Sequence, residues 1–247
     1  GVKFFFSKEE FDNFNIPQRD RKVTYCNSVQ LASKGKAMKL TKENQGCPNG
    51  AMALKMREIP EPMASGKARF SKNIYHDVET SKSISDQMLF LKEEPYGYAV
   101  MPLDMFELDP DIVIVISKPY NIMRLIQGHG YFNGYTNNLR TVGLQAVCQD
   151  LTTYPYNTQD INISFLCPGT RLVADWKEHE IGIGIPFEKW YEIVEGVKQT
   201  TNPFERNKNK EGIKKRLEER GLDASDIKFN WNYDDGSYSG GKIEINK

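Results

Sequence analysis

No Cys-x-x-Cys pair occurs in the sequence, although it holds four cysteines, Cys26, Cys47, Cys148 and Cys167. Structural zinc sites usually take thiolates in such close pairs and ferredoxin clusters use short fixed spacings, so neither pattern applies. Net charge is missing as well: 33 Lys and Arg balance 33 Asp and Glu, which leaves no overall field to draw nucleic acid or an anionic membrane. Neither is expected as a partner. No apolar run approaches the roughly 20 residues that span a bilayer. The apolar start Gly1–Phe6 meets the charged stretch Ser7–Asp12 at once, which is too short and wrongly flanked for a secretory signal. The expected setting is cytoplasmic, where cysteines are read as thiols or metal ligands before disulfides. A Ser-His-Asp order, a zinc-protease helix motif and a phosphate loop are absent too, and Gly182 and Gly184 lack the third glycine of a dinucleotide fingerprint. Hydrolysis therefore has no candidate residues.

What remains is an ordinary globular composition, 39% hydrophobic and 27% charged over 247 residues, enough for one large core. Ser7-Lys8-Glu9-Glu10 is a capping box that starts a helix to Phe14. A second helix is expected over Gln18–Ser33, a strand over Ala37–Thr41, and a further helix opening at Pro48. After a Pro-rich linker from Ile59 to Gly66, Val78–Lys92 reads as an amphipathic helix. Gly97–Leu103 and Asp111–Ser117 read as strands, the latter apolar enough to be buried on both faces. Helices follow at Asn121–Gln127, closed by Gly128, and at Leu139–Leu151. Strands are expected at Ile161–Leu166 and Glu180–Ile185, then helices at Phe187–Thr200 and Lys208–Arg220. The polar, Gly-rich end suggests a small hairpin at Ile227–Trp231 and Lys242–Ile245.

The cysteines fall into a repeated pattern. Tyr25-Cys26-Asn27-Ser28-Val29 resembles Val147-Cys148-Gln149-Asp150-Leu151, and Cys47-Pro48-Asn49-Gly50 resembles Cys167-Pro168-Gly169-Thr170. Cys26 to Cys47 spans 21 positions and Cys148 to Cys167 spans 19. Each module reads as a helix with a cysteine, a strand, and a Cys-Pro turn opening the next element. The expected fold is thus α+β, with duplicated modules at 18–56 and 139–174 around a mixed sheet in a core domain 1–200, and an accessory segment 201–247. Two such halves around a pseudo-twofold would bring four thiolates together. Soft thiolates in a set of four select zinc or iron–sulfur over hard cations, and a 4Fe-4S cluster served by a redox partner protein is the leading expectation. The alternatives are zinc, a duplicated module that binds a tetrapyrrole or another small molecule, plain packing of four core cysteines, and a disulfide or redox pair.

Thr41-Lys42-Glu43-Asn44-Gln45-Gly46-Cys47-Pro48, Met123-Arg124-Leu125-Ile126-Gln127, Cys167-Pro168-Gly169-Thr170-Arg171 and Glu180-Ile181-Gly182-Ile183-Gly184-Ile185-Pro186 resemble the uncharacterised ArCR family of archaea and anaerobic bacteria, over about Phe11 to Val197. The resemblance implies a coherent fold and an anaerobic setting congenial to an oxygen-sensitive cluster, and it implies no reaction. Three further side chains are candidates for cofactor contact. Arg171 suits a thiolate or an anion, or else an ion pair with Glu180. Glu43 is a group behind the Cys47 ligand or a solvated loop charge. His129, between two glycines, is a ligand or base, or else a solvent-facing residue at a helix end.

Overall fold

A computed structural model describes residues 1–67, 77–134, 140–145, 147–166, 168–206, 210–223 and 225, with the side chains of 84, 140–145, 168–169, 201–206, 210–213 and 216 excepted. In chain order the elements are β1 (Val2–Phe5), α1 (Lys8–Asn13), α2 (Tyr25–Ser33), β2 (Met38–Thr41), α3 (Pro48–Ala53), α4 (Glu61–Ala64), α5 (Val78–Asp86), β3 (Gly97–Val100), β4 (Ile112–Ser117) and α6 (Pro119–Asn133). They continue with β5 (Arg140–Gln145), a π-helix (Gln149–Thr153), α7 (Tyr154–Thr158), β6 (Asn162–Leu166), α8 (Pro168–Ala174), β7 (Ile181–Pro186), α9 (Phe187–Arg206) and α10 (Lys210–Glu219). The fold is α+β. Among the described residues, seven strands form one sheet in the order β2-β3-β1-β4-β7-β6-β5, antiparallel except for the β5–β6 pair.

Strands β1, β2 and β3 lie as β2-β3-β1, while β4, β6 and β7 lie as β6-β7-β4. The two triples share one connection order and meet where Val2 opposes Ile112. Outside this correspondence stands β5. The helix before β6 is also a π turn continued by α7, where α2 is a regular helix.

Alternation along β7 assigns the two sides of the sheet. Ile181, Ile183 and Ile185 join Ile122, Phe187 and Ile193 beneath α6 and α9. The glycines between them face the other layer: a Cβ on Gly182 would sit 2.2 Å from the Leu151 side chain, and one on Gly184 would sit 2.2 Å from the Leu151 carbonyl oxygen. The Ile-Gly-Ile-Gly-Ile run thus lets the π-helix lie directly on the strand. On that same side Tyr25, Val29, Leu54, Tyr98, Val147, Cys148 and Leu151 form the larger core.

Several sequence expectations are corrected. The segment from Gln18 is extended rather than helical, bridging Gln18 to Lys39 and Val23 to Gln45, and α2 starts only at Tyr25 with Thr24 as its cap. Strand β4 is fully buried at Ile112 and Val113 and half-buried beyond, so it is not covered on both faces throughout. Helix α6 does not end at Gly128, because that glycine is where α9 crosses. A Cβ there would lie 2.4 Å from the Ile193 carbonyl oxygen, and one on Gly196 would lie 2.0 Å from the Gly128 carbonyl oxygen. The expected helix Leu139–Leu151 is instead β5 followed by the π-helix. Within the Pro-rich linker sits the short α4. The hairpin expected at 227–231 and 242–245 lies outside the described residues.

Candidate functional site

Helix α2 carries Cys26 on its first turn. The Thr24 hydroxyl oxygen accepts from the Asn27 N–H at 3.1 Å, and the half-buried Cys26 Sγ lies 3.6 Å from Thr170 Oγ1 of α8. Asn27 fixes the same contact by donating its side-chain amide to the Val173 carbonyl. Beside Cys26, Tyr25 is wholly buried, and its hydroxyl lies 2.8 Å from Thr152 Oγ1 in the π-helix. The Thr152 proton is already given to the Val147 carbonyl at 2.9 Å, so Tyr25 is the donor.

A second relay runs through Tyr98 on β3. The Gln45 side-chain amide donates to the Tyr98 hydroxyl, which also hydrogen-bonds Ser28. Ser28 in turn donates to the Tyr25 carbonyl at 2.7 Å. The two phenol rings stand 5.5 Å apart at 51°. Burial pushes both phenols well up, only partly offset by these hydrogen bonds, so both stay neutral donors at any physiological pH.

Cys148 packs in one core with both phenols, and Cys26 packs against that core. Cys26 and Cys148 both act electrostatically on the two hydroxyls. Cys148 is buried in the same core and precedes the π-helix, a type of turn often found at functional positions. Cys47 is the half-buried N-cap of α3, set between Gln45, which reaches Tyr98, and Gly50, whose Cβ would lie 3.1 Å from that of Tyr25. Cys26 and Cys148 thus stand on helical turns and Cys47 at a turn before a helix, as the Pro-bearing pattern predicts. Cys26, Cys47 and Cys148 are not disulfide-bonded. Cys167 lies outside the described residues. Among the described residues, no three His, Cys, Asp or Glu side chains gather closely enough to hold one metal ion.

The other candidates are dispersed. Exposed Glu43 accepts from the Thr41 hydroxyl, which holds its carboxyl below the ordinary range, and it lines a cavity with Cys47. Arg171 donates to the Glu178 carbonyl at 3.4 Å, while the Glu180 carboxylate accepts from the Lys177 N–H. The expected Arg171–Glu180 pair is replaced because Glu180 caps the turn before β7. His129 is not a solvent-facing helix end: it is 8% exposed where α6 meets α9, with Nδ1 3.2 Å from the Asn133 amide. Burial first, then Lys189, lowers its pKa.

The cavity beside Cys47 has a volume of about 440 Å³ and is also lined by Lys22, Lys42, Gln45 and Arg57. A larger cavity of about 690 Å³ lies between the end of α2, β4, Trp176 and Trp190, away from the cysteines. Sequence reasoning missed Tyr25, Ser28, Gln45, Tyr98 and Thr152 as parts of the site. It also missed the buried run Gln149, Asp150, Thr152 and Thr153, where four polar side chains are at most 2% exposed. Their polarity reads as a helix end, and only the close seat on Gly182 and Gly184 buries them.

A model of the DUF169 family, described as "Uncharacterised ArCR", matches residues 1–196. The chain belongs to this family. The match includes β1, ahead of the region that carries the motif resemblance. An uncharacterized protein, MJ0308, of Methanocaldococcus jannaschii is 30% identical over 198 residues, 79% of this chain and 84% of that protein. No solved structure matches. Among the described residues, no helix is long and apolar enough to cross a membrane.

Proposed function

We propose that this DUF169 protein is a cytoplasmic redox protein whose Cys26, Cys47, Cys148 and Cys167 hold an iron–sulfur centre, preferably 4Fe-4S, that exchanges electrons with a partner protein or with a redox cofactor. The observation that carries the reading is the packing of Cys26 and Cys148 in one core with a buried phenol pair, to which Gln45, two residues before Cys47, is hydrogen-bonded. The donor set fits: thiolates are the ligands such clusters take. When bound, the cluster would supply one-electron transfer. The protein's own part is to orient and to dry the site. Tyr25 and Tyr98 fill the floor as neutral donors, and the packed core withholds water from Cys148. The matching strand orders β2-β3-β1 and β6-β7-β4 support the duplication behind this reading, in which Cys47-Pro48 and Cys167-Pro168 are equivalent turns.

A second reading is a non-redox binding module with the cysteines structural or zinc-binding. It is favoured by the lack of a three-ligand cluster among the described residues and by the cavity beside Cys47. Anaerobic purification followed by iron and acid-labile sulfide analysis separates the two. The first reading requires a brown protein with about four of each per chain. A colourless protein without iron or sulfide refutes it.

A further inference from the structure

We propose that the cavity beside Cys47 is a binding site for a small phosphomonoester or carboxylate that also carries a hydroxyl group. Four observations meet there. Lys22, Lys42 and Arg57 line the cavity, and among the described residues none of the three has an ion-pair partner. The one carboxylate of the lining, Glu43, is turned to the Thr41 hydroxyl, which leaves the rim with an excess of positive charge. Gln45 also lines it and is only 9% exposed, yet its Oε1 has no hydrogen-bond partner, while its amide nitrogen is committed to Tyr98. The volume of about 440 Å³ lies within the range of sites for small metabolites.

Each feature asks for a complementary group. Three cations attract an anion, and Arg57 offers the planar fork that meets phosphate or carboxylate through two parallel hydrogen bonds. A buried amide oxygen without a partner asks for a donor, which a bare inorganic anion at neutral pH supplies poorly and a hydroxyl supplies well. The Gln45 side chain is held by its amide hydrogen bond to Tyr98. The backbone carries the loop rigidly as well, with the Val23 N–H donating to the Asn44 carbonyl and the Gly46 N–H to the Val23 carbonyl at 2.8 and 2.9 Å. Lys22, next to Val23, and Lys42 are thereby held on the same rim. The site goes beyond the proposed cluster and needs no metal.

The test is calorimetric titration of the full chain with glycerol 3-phosphate, with 3-hydroxybutyrate and with inorganic phosphate, for wild type and for Arg57→Gln, Lys42→Gln, Gln45→Leu, Cys26→Ser and the control Lys198→Gln on exposed α9 surface outside the lining. One or both organic anions are expected to bind more tightly than about 1 mM and at least about tenfold tighter than inorganic phosphate. Arg57→Gln and Lys42→Gln should each weaken that binding about tenfold, and Gln45→Leu should remove the preference over inorganic phosphate. Lys198→Gln should leave it unchanged. Cys26→Ser, which changes a proposed cluster ligand outside the cavity, should keep the anion affinity even if it abolishes iron, which separates failure of this site from failure of the cluster. No binding by either organic anion, or equal weakening by Lys198→Gln and Arg57→Gln, would overturn the proposal.

Discussion

The seat of the π-helix on β7 can be tested with two alanines that differ in what they strike. In Gly184→Ala the new methyl would meet the Leu151 carbonyl oxygen at 2.2 Å, whereas an ordinary contact needs at least 3.4 Å. The backbone of the π-helix must therefore move by more than 1 Å, carrying with it Thr152 and its bond to Tyr25, and Cys148 at the start of the turn. In Gly182→Ala the methyl would meet Leu151 Cδ1, also at 2.2 Å, but this is the end of a side chain that can turn away. Overpacking against rigid structure costs about 2 to 3 kcal/mol, and a clash that a rotamer change relieves costs about 1 kcal/mol. With a urea dependence near 3 kcal/mol/M, the first variant should lose about 0.7 to 1 M in unfolding midpoint and the second about 0.3 M. Pairing each glycine change with Leu151→Ala sharpens the comparison, because the smaller side chain should relieve Gly182→Ala and do nothing for Gly184→Ala. Equal midpoints for the two single variants would refute the close seating.

Lys39 is buried and donates to the carbonyls of Phe11, Asp12 and Phe14 at 2.5, 3.3 and 2.9 Å, closing the end of α1. Lys39→Met should lower stability by about 2 to 3 kcal/mol in urea melts, since it leaves buried acceptors unpaired, and a neutral outcome would show that water replaces the ammonium. For His129, whose pKa is lowered in the folded state, the unfolded chain binds the proton first. Its contribution to stability is therefore complete above about pH 6.5 and is lost as pH falls from there toward the folded value. His129→Gln should flatten the melting temperature over that interval, and an unchanged slope would assign the pH dependence elsewhere. Cys47→Ser should bleach or convert the proposed centre and lower stability with it, because ligand bonds are coupled to folding. Full iron and sulfide content in that variant would remove Cys47 from the ligand set.

The sequence made the frame of the molecule legible where one short-range cause dominates. The capping box at Ser7 starts α1, Pro48 opens α3, and the paired glycines of β7 lie on a strand. It misled where a distant neighbour decides. Gly128 reads as a helix stop, yet its missing Cβ admits α9. The segment Leu139–Leu151 has helix formers at both ends, but its first half pairs in parallel with β6 instead. At the site, the cysteine pattern correctly marked the helical turns of Cys26 and Cys148 and the Pro-bearing cap at Cys47, while the phenol pair packed with Cys26 and Cys148 was invisible. Tyr25 and Tyr98 are 73 positions apart and meet only because α2 lies over β3. Their hydrogen bonds to Thr152 and Gln45 are likewise long-range, so no local spacing announces them.

The most direct test of the central claim is differential alkylation of the anaerobically purified protein, read by peptide mass spectrometry before and after removal of iron with a chelator. If the four thiols hold one centre, Cys26, Cys47, Cys148 and Cys167 will be protected together and will become reactive together once iron and sulfide are gone. If instead half-buried Cys47 reacts at once in the untreated protein while the other three are unaffected by the chelator, the thiols do not share a centre and the cluster assignment is wrong.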